Sequence, residues 1–388
     1  MPTNHPTLFA CLRQLALFVV LTVAVAQASA AVSFERLPES GLQPQAVATP
    51  DGTVHLIYLT GEAKASDIIY RRRATEGGWS EPLKVNSQAG SAVAIGTIRG
   101  PQLALGRNGR ANVVWNGSQS AEPKAVNGGA PLLYARLDDD GRSFSAQRDL
   151  IGRTHELDGG GSVATDAEGR VFVVWHASPA GQRGETNRAV FLAVSTDDGK
   201  TFASERSINP AGSGACGCCG LTALARPSGD VSVLFRTART MMQRDMALLV
   251  STDHGKSFKE SFADPWSVGM CPMSSATVSA AGTTTLAAWE TSGRVHMGRF
   301  SNADGSPDVR AVGPLKGAKH PRLAINGRGE TLMVWTEGTG WQSGGSLAWQ
   351  VFDAQGEPTG EKGKRDGVAA WSYATTYARP DGDFVILH

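Results

Sequence analysis

Apolar and polar residues alternate along this chain in short runs, and the runs recur. Seven phrases share one form: PQAVATPDGTVHLIY from Pro44, PQLALGRNGRANVVW from Pro101, GSVATDAEGRVFVVW from Gly161, LTALARPSGDVSVLF from Leu221, SATVSAAGTTTLAAW from Ser275, PRLAINGRGETLMVW from Pro321 and ATTYARPDGDFVILH from Ala374. Each reads as an alternating strand, a turn ending near Gly, and a more apolar strand. The Gly supplies the positive φ that a tight hairpin turn requires. Successive phrases start 46 to 60 residues apart, a spacing that matches propeller blades.

The rest of each unit repeats as well. A third strand follows, as in IIYRRR, LLYARL, VFLAVS, MALLVS, VHMGRF and LAWQVF. A turn and a more polar fourth strand come next, such as WSEPLKV or FASERSI. Four antiparallel strands per unit, repeated around an axis, predict an all-β propeller. The last unit has only its first two strands, and VSFERLP at Val32 to Pro38 reads as an orphan outer strand. Pairing the two would close a ring of seven blades, or of six if one unit is irregular. Residues 31–388 hold no linker-like stretch and read as a single domain.

The first 30 residues read differently. An apolar run from Leu15 to Ala26 precedes Ala28-Ser29-Ala30, an A-x-A cleavage pattern. That is the form of a secretory signal peptide, and the run is short for a membrane span of about 20 residues. Cys11 would leave with it. The expected location is the periplasm or the cell exterior, with no membrane segment after cleavage. The formal net charge of +1 suggests no nucleic-acid partner, and we expect a monomer. No motif points to a nucleotide or flavin.

Two turns between third and fourth strands carry a sharper signal: STDDGKTF at Ser195 to Phe202 and STDHGKSF at Ser251 to Phe258. LDDDGRSF at Leu137 to Phe144 is a variant. These resemble the Asp-box, S-x-D-x-G-x-[ST]-[WF], of the sialidase-like (BNR-repeat) superfamily. The Asp can accept turn N–H groups and the Gly permits the reversal. The resemblance covers nearly all of the expected mature chain and implies the propeller fold. It carries activity only weakly, because one fold hosts many functions.

The sialidase site that the resemblance implies uses three arginines on a substrate carboxylate, a Tyr–Glu nucleophile pair and an Asp acid/base. Tyr373 in WSYATTYARPDG stands where the family's nucleophile would, and Arg322 is a candidate for the carboxylate clamp. Arg99, Arg236, Glu290, Glu337 and Asp158 lie near strand ends or loops that could supply the remainder. The first arginine is missing from its usual place, which reads QPQAV with Gln45. The alternative for Arg322 and Tyr373 is a polar funnel lining or a ring-closing contact.

The cysteines carry the remaining chemistry. GACGCCGL places Cys216, Cys218 and Cys219 just before the fourth inner strand, and GMCPMS places Cys271 before the fifth. In a propeller all segments entering inner strands share one face with the loops joining second to third strands. Cys216, Cys218, Cys219, Cys271, Met270, Met273 and His320 are therefore expected to converge there as metal-ligand candidates. His155, His176, Met241, Met242 and Met246 belong to the same region of the sequence, while His55 reads as structural. Soft thiolate and thioether donors favour Cu(I) over hard ions, so copper is the candidate cofactor. The competing reading is structural disulfides in an oxidising compartment. Adjacent cysteines pair poorly, so one bridge between blades with two leftover thiols is the easier arrangement. Methionines cluster in cores more often than in ligand sets. Three functions follow: a non-hydrolytic metal-binding propeller, an exo-acting glycoside hydrolase of sialidase type, or a scaffold binding glycan or protein on its loop face.

Overall fold

The computed structural model describes residues 1–2, 30–268, 271–300 and 307–388. The expected signal segment, apart from its ends, and Met270 lie outside the described residues. Among the described residues the chain forms seven sheets, six of them built from consecutive strands. Their inner strands are Leu42–Ala48, Gln102–Leu105, Ser162–Thr165, Thr222–Ala225, Thr277–Ala281, Ala318–Ile325 and Thr375–Ala378. These strands surround a central channel of about 760 Å³, lined by all seven blades. The architecture is a seven-bladed propeller.

The closure departs from a full four-stranded blade. Six sheets have four strands and the seventh has three. The N-terminal strand Val32–Glu35 pairs with Phe384–Leu387 in parallel register, Val32 opposite Phe384 and Glu35 opposite Leu387. In a complete blade the fourth strand runs parallel to the second, with an antiparallel third between them. Here the third strand is missing, and the N-terminal strand keeps the outer strand's direction while bonding directly to the second. It thus delivers the chain to the face where the first inner strand begins. Ala31 N donates to Asp383 Oδ1 at 3.0 Å, and Phe384 N donates to Ala31 O at 2.8 Å. Phe34 packs edge-on against Trp349 of blade 6, with ring centroids 4.8 Å apart.

The second strands form the core between blades. Trp115, Trp175 and Trp289 occupy equivalent places and are fully buried. Buried indole N–H groups need acceptors; Trp175 donates to Thr154 Oγ1 at 3.3 Å and Trp289 to Asp264 Oδ2 at 3.1 Å. His55 is also buried, its Nδ1 within 2.7 Å of Tyr70 Oη, in keeping with a structural role.

The two S-x-D-x-G turns are alike bond for bond. Ser195 Oγ donates to Asp197 Oδ1 at 2.7 Å, and Gly199 N donates to Ser195 Oγ at 2.9 Å. Ser251, Asp253 and Gly255 repeat this at 2.7 and 2.9 Å. Thr201 N and Ser257 N each donate to the turn Asp, at 2.8 and 2.9 Å. Gly199 and Gly255 both sit at φ 77°, where a side chain would be strained.

The bonds from the Ser257 hydroxyl, the Ser257 N–H and the Ser251 hydroxyl hold the Asp253 carboxyl well below its free value of 3.8. A carboxyl depressed by folding contributes stability above its free value and loses it as pH falls through the folded one. Asp253→Asn should therefore lower the melting temperature at neutral pH, and the gap from wild type should shrink once pH falls below 3.8. Thermal melts across the acid range check this; a gap independent of pH contradicts it.

Candidate metal and ligand site on the loop face

The cysteine segment is held by backbone contacts from three blades. Cys216 N donates to Arg236 O at 2.9 Å, and Gly220 N to Ser274 O at 3.2 Å. His176, in the second strand of blade 3, places Nε2 within 3.1 Å of Cys219 O. Gly217, between Cys216 and Cys218, and Gly220, after Cys219, leave little room for a side chain. A Cβ on Gly217 would meet Arg188 Nη1 at 2.0 Å and Asp158 Oδ2 at 2.8 Å. On Gly220 it would meet Ser275 Cα at 3.2 Å.

The four sulfurs come together as the topology predicts. Cys218 and Cys271 form a disulfide that joins the segments entering blades 4 and 5. Cys216 and Cys219 are free and buried. Cys216 Sγ lies 3.5 Å from Cys218 Sγ and 3.8 Å from Cys219 Sγ. The sulfurs of Cys216, Cys219 and Cys271 all lie within 4.8 Å of one another. The contact with Cys219 holds the Cys216 thiol down to about 7. The same contact, with complete burial, pushes Cys219 well above the usual thiol value.

A chain of ion pairs runs beside this cluster. Glu185 Oε1 accepts from Gly217 N at 3.1 Å and stands 3.8 Å from Cys218 Sγ. Arg244 binds Glu185 at 2.7 Å, and Arg188 lies within 3.6 Å of Glu185 and 3.7 Å of Asp158. Arg99 ends the chain on Asp158 at 2.6 Å. Glu185, Arg188 and Arg244 were not among the sequence candidates. Glu185, Arg188 and Arg244 sit in or beside loops joining second to third strands, so the shared face is the signal that could have found them.

Beyond the bridge lies a cavity of about 200 Å³, lined by Cys271, Met273, Lys319, His320, Trp341 and Trp371 among others. Trp341 is exposed and meets Trp371 edge-on, with centroids 4.5 Å apart. His320 Nδ1 faces Ser275 N at 3.2 Å. That N–H can only donate, so Nδ1 is the acceptor and Nε2 carries the proton. Burial, with Arg322 and Lys319 nearby, pushes His320 down to about 3.

The methionines spread apart. Met246 is buried in the third strand of blade 4, whereas Met241 and Met242 are exposed on the loop before it. Only Met273, of the described methionines in this region, lines the cavity with Cys271.

The residues weighed for hydrolysis are engaged with one another or with neighbouring backbone and side chains. The Arg322 guanidinium stacks on the Tyr373 ring at 4.4 Å, and its Nη1 donates to Ala276 O at 3.2 Å. The Tyr373 hydroxyl is buried without a hydrogen-bond partner among the described residues. Glu290 accepts from Gly293 N, and Glu337 from Trp335 Nε1 at 2.9 Å and Lys364 Nζ at 2.7 Å. Arg236 stacks on Trp266 and donates to Arg244 O at 2.8 Å.

No protein-family model matches the chain. No curated protein matches it either. Solved structures do resemble it. An α-L-arabinanase of Penicillium chrysogenum, complexed with arabinobiose, is 12% identical with a TM-score of 0.53, over 83% of this chain and 95% of that one. The Aleuria aurantia lectin, complexed with a methyl fucoside, is 12% identical with a TM-score of 0.49, over 85% and 95%. A Trypanosoma rangeli sialidase is 12% identical with a TM-score of 0.47, over 78% of this chain and 53% of that one. These likenesses concern the propeller fold alone.

A histidine whose folded value of about 3 lies below its free value of 6.5 is most stabilising when neutral. Its contribution is complete above 6.5 and declines as pH falls towards 3. Imidazole NMR should find His320 neutral, with Nε2 protonated, from pH about 8 to about 5. Titration of its ring near 6.5 would contradict this environment.

Proposed function

We propose that this protein is an exported, sialidase-like propeller that holds a soft metal, copper as Cu(I), on its loop face without hydrolysing a glycan. The observation that carries this reading is the sulfur cluster, with Cys216, Cys219 and Cys271 sulfurs within 4.8 Å of one another. Metal–thiolate bonds are about 2.3 Å for zinc, so sulfurs at such separations can share an ion. Thiolates serve both zinc and Cu(I); Met273 beside Cys271 adds a thioether, which favours copper. In the bridged state Cys216 and Cys219 are the available thiols. Two-electron reduction of the Cys218–Cys271 bridge completes a set of four. Met270, Met273 and His320 remain secondary candidates; in the neutral ring Nδ1 is taken by Ser275 N and Nε2 carries the proton, so His320 would have to lose that proton to ligate.

Export to the periplasm or beyond is supported by the signal-peptide pattern of the first 30 residues, and membership of the Asp-box superfamily by the paired S-x-D-x-G turns. The protein acts as a monomer in this reading. A non-hydrolytic role is favoured by the Tyr373 hydroxyl, which meets no carboxylate base. A hydrolase would use Tyr373 as nucleophile and Arg322 to clamp a substrate carboxylate, and sialoside turnover abolished by Tyr373→Phe would establish it. A second reading, glycan or protein binding at the same face, is favoured by the exposed Trp341 beside the cavity, since exposed indoles suit ligand contact.

Titration of the reduced protein with Cu(I) against a chromophoric chelator tests the metal reading. Replacing Cys216 and Cys219 together by Ser should weaken binding by more than the ~10-fold that outer-shell changes alone cost at metal sites. Unchanged affinity would overturn it.

A further inference from the structure

Cys216 touches both an enclosed thiol and an open disulfide, and simple metal ligation does not require this arrangement. Cys216 and Cys219 end a C-G-C-C stretch, which is the C-x-x-C spacing of redox dithiols. Both are enclosed, at 4% and 3% exposure. Cys218 and Cys271, joined to each other, are half-buried, and Cys271 lines the cavity walled by Trp341 and Trp371. The sulfur contacts run in series: Cys219 to Cys216 at 3.8 Å, Cys216 to Cys218 at 3.5 Å, then the bridge to Cys271.

We propose that these four cysteines form a thiol–disulfide relay, which passes the reducing equivalents of the Cys216/Cys219 dithiol outward to the half-buried pair Cys218/Cys271, of which Cys271 lines the cavity. Disulfides exchange by thiolate attack on one sulfur with departure of the other. In the first step the Cys216 thiolate attacks Cys218 Sγ. A Cys216–Cys218 bond forms, the Cys218–Cys271 bond breaks, and its electron pair leaves on Cys271. In the second step the Cys219 thiolate attacks Cys216 Sγ, forming Cys216–Cys219 and releasing Cys218. The inner pair is oxidised by two electrons, the outer pair is reduced by two, and two protons move from the inner pair to the outer. No outside oxidant or reductant takes part in this transfer.

The substrate class is a disulfide small enough to enter a cavity of about 200 Å³. Cys271 attacks it and releases one thiol; Cys218 then resolves the mixed disulfide, releases the second thiol and restores the bridge. Each further cycle consumes an external dithiol that reduces Cys216–Cys219. The relay belongs to the metal-free protein and does not rest on the metal reading.

Labelling of the folded, metal-free protein with N-ethylmaleimide tests the relay. The protein is purified without reductant, quenched in acid and mapped by mass spectrometry. In the wild type the label should fall on Cys271 and Cys218, with a Cys216–Cys219 disulfide in place of the original bridge. Cys219→Ser should stop the relay half-way, with label on Cys271 and a Cys216–Cys218 disulfide. Cys216→Ser should lose labelling at Cys271, with near-ultraviolet circular dichroism confirming that both variants keep the fold. The proposal is overturned if wild-type label falls on Cys216 or Cys219 while Cys218–Cys271 persists. It is also overturned if Cys271 labelling survives in Cys216→Ser, or if the folded wild type stays unlabelled while denatured protein labels.

Discussion

The closed ring of inner strands is the constraint from which the rest follows. Every inner strand runs in the same direction along one central channel, so every segment that enters one emerges on the same face. Residues distant in sequence then become neighbours without any dedicated scaffold. Cys218 and Cys271 are 53 residues apart in the chain and bonded in space. Closure itself rests on the strand Val32–Glu35, which joins the two ends of the chain. A sheet edge left open there would expose unpaired backbone groups.

The loop face combines two chemistries that reinforce each other. Glu185, Arg188, Arg244, Asp158 and Arg99 form ion pairs beside the sulfur cluster, and Gly217 is wedged beneath Arg188 and Asp158. These contacts fix the backbone of the cysteine segment, so the sulfurs are positioned by the fold before any ligand arrives. Partly buried charges carry a desolvation cost, and here each carboxylate meets more than one donor, the arrangement that offsets it. The open side of the cluster is different. There Cys271 faces a cavity with a tryptophan wall and a neutral histidine, a setting for soft or apolar groups.

Much of this was legible in the sequence because its causes are local. Period-two alternation and the turn glycines are set within about a dozen residues, and the seven phrases marked the seven blades. The S-x-D-x-G turns are equally local, as their bonds span no more than four residues. Closure of the last unit by the N-terminal strand was legible, but its parallel register, Val32 opposite Phe384, was not, because nothing near either residue specifies it. One bridge between blades with two leftover thiols was also legible; that Cys218 is the partner was not, since it depends on how two segments turn as they enter neighbouring blades. Met246 illustrates the opposite error. Its place in the sequence grouped it with the ligand candidates, whereas strand alternation puts it in the core opposite Arg236. The chain of ion pairs was missed because Glu185, Arg188 and Arg244 read as ordinary polar loop or loop-edge residues until the blades are assembled.

The account's central claim is that the propeller gathers its cysteines into one soft-ligand site. Copper K-edge X-ray absorption on reduced protein loaded with a single equivalent of Cu(I) tests it most directly. The account predicts an innermost coordination shell made of sulfur. A shell dominated by nitrogen or oxygen would contradict it.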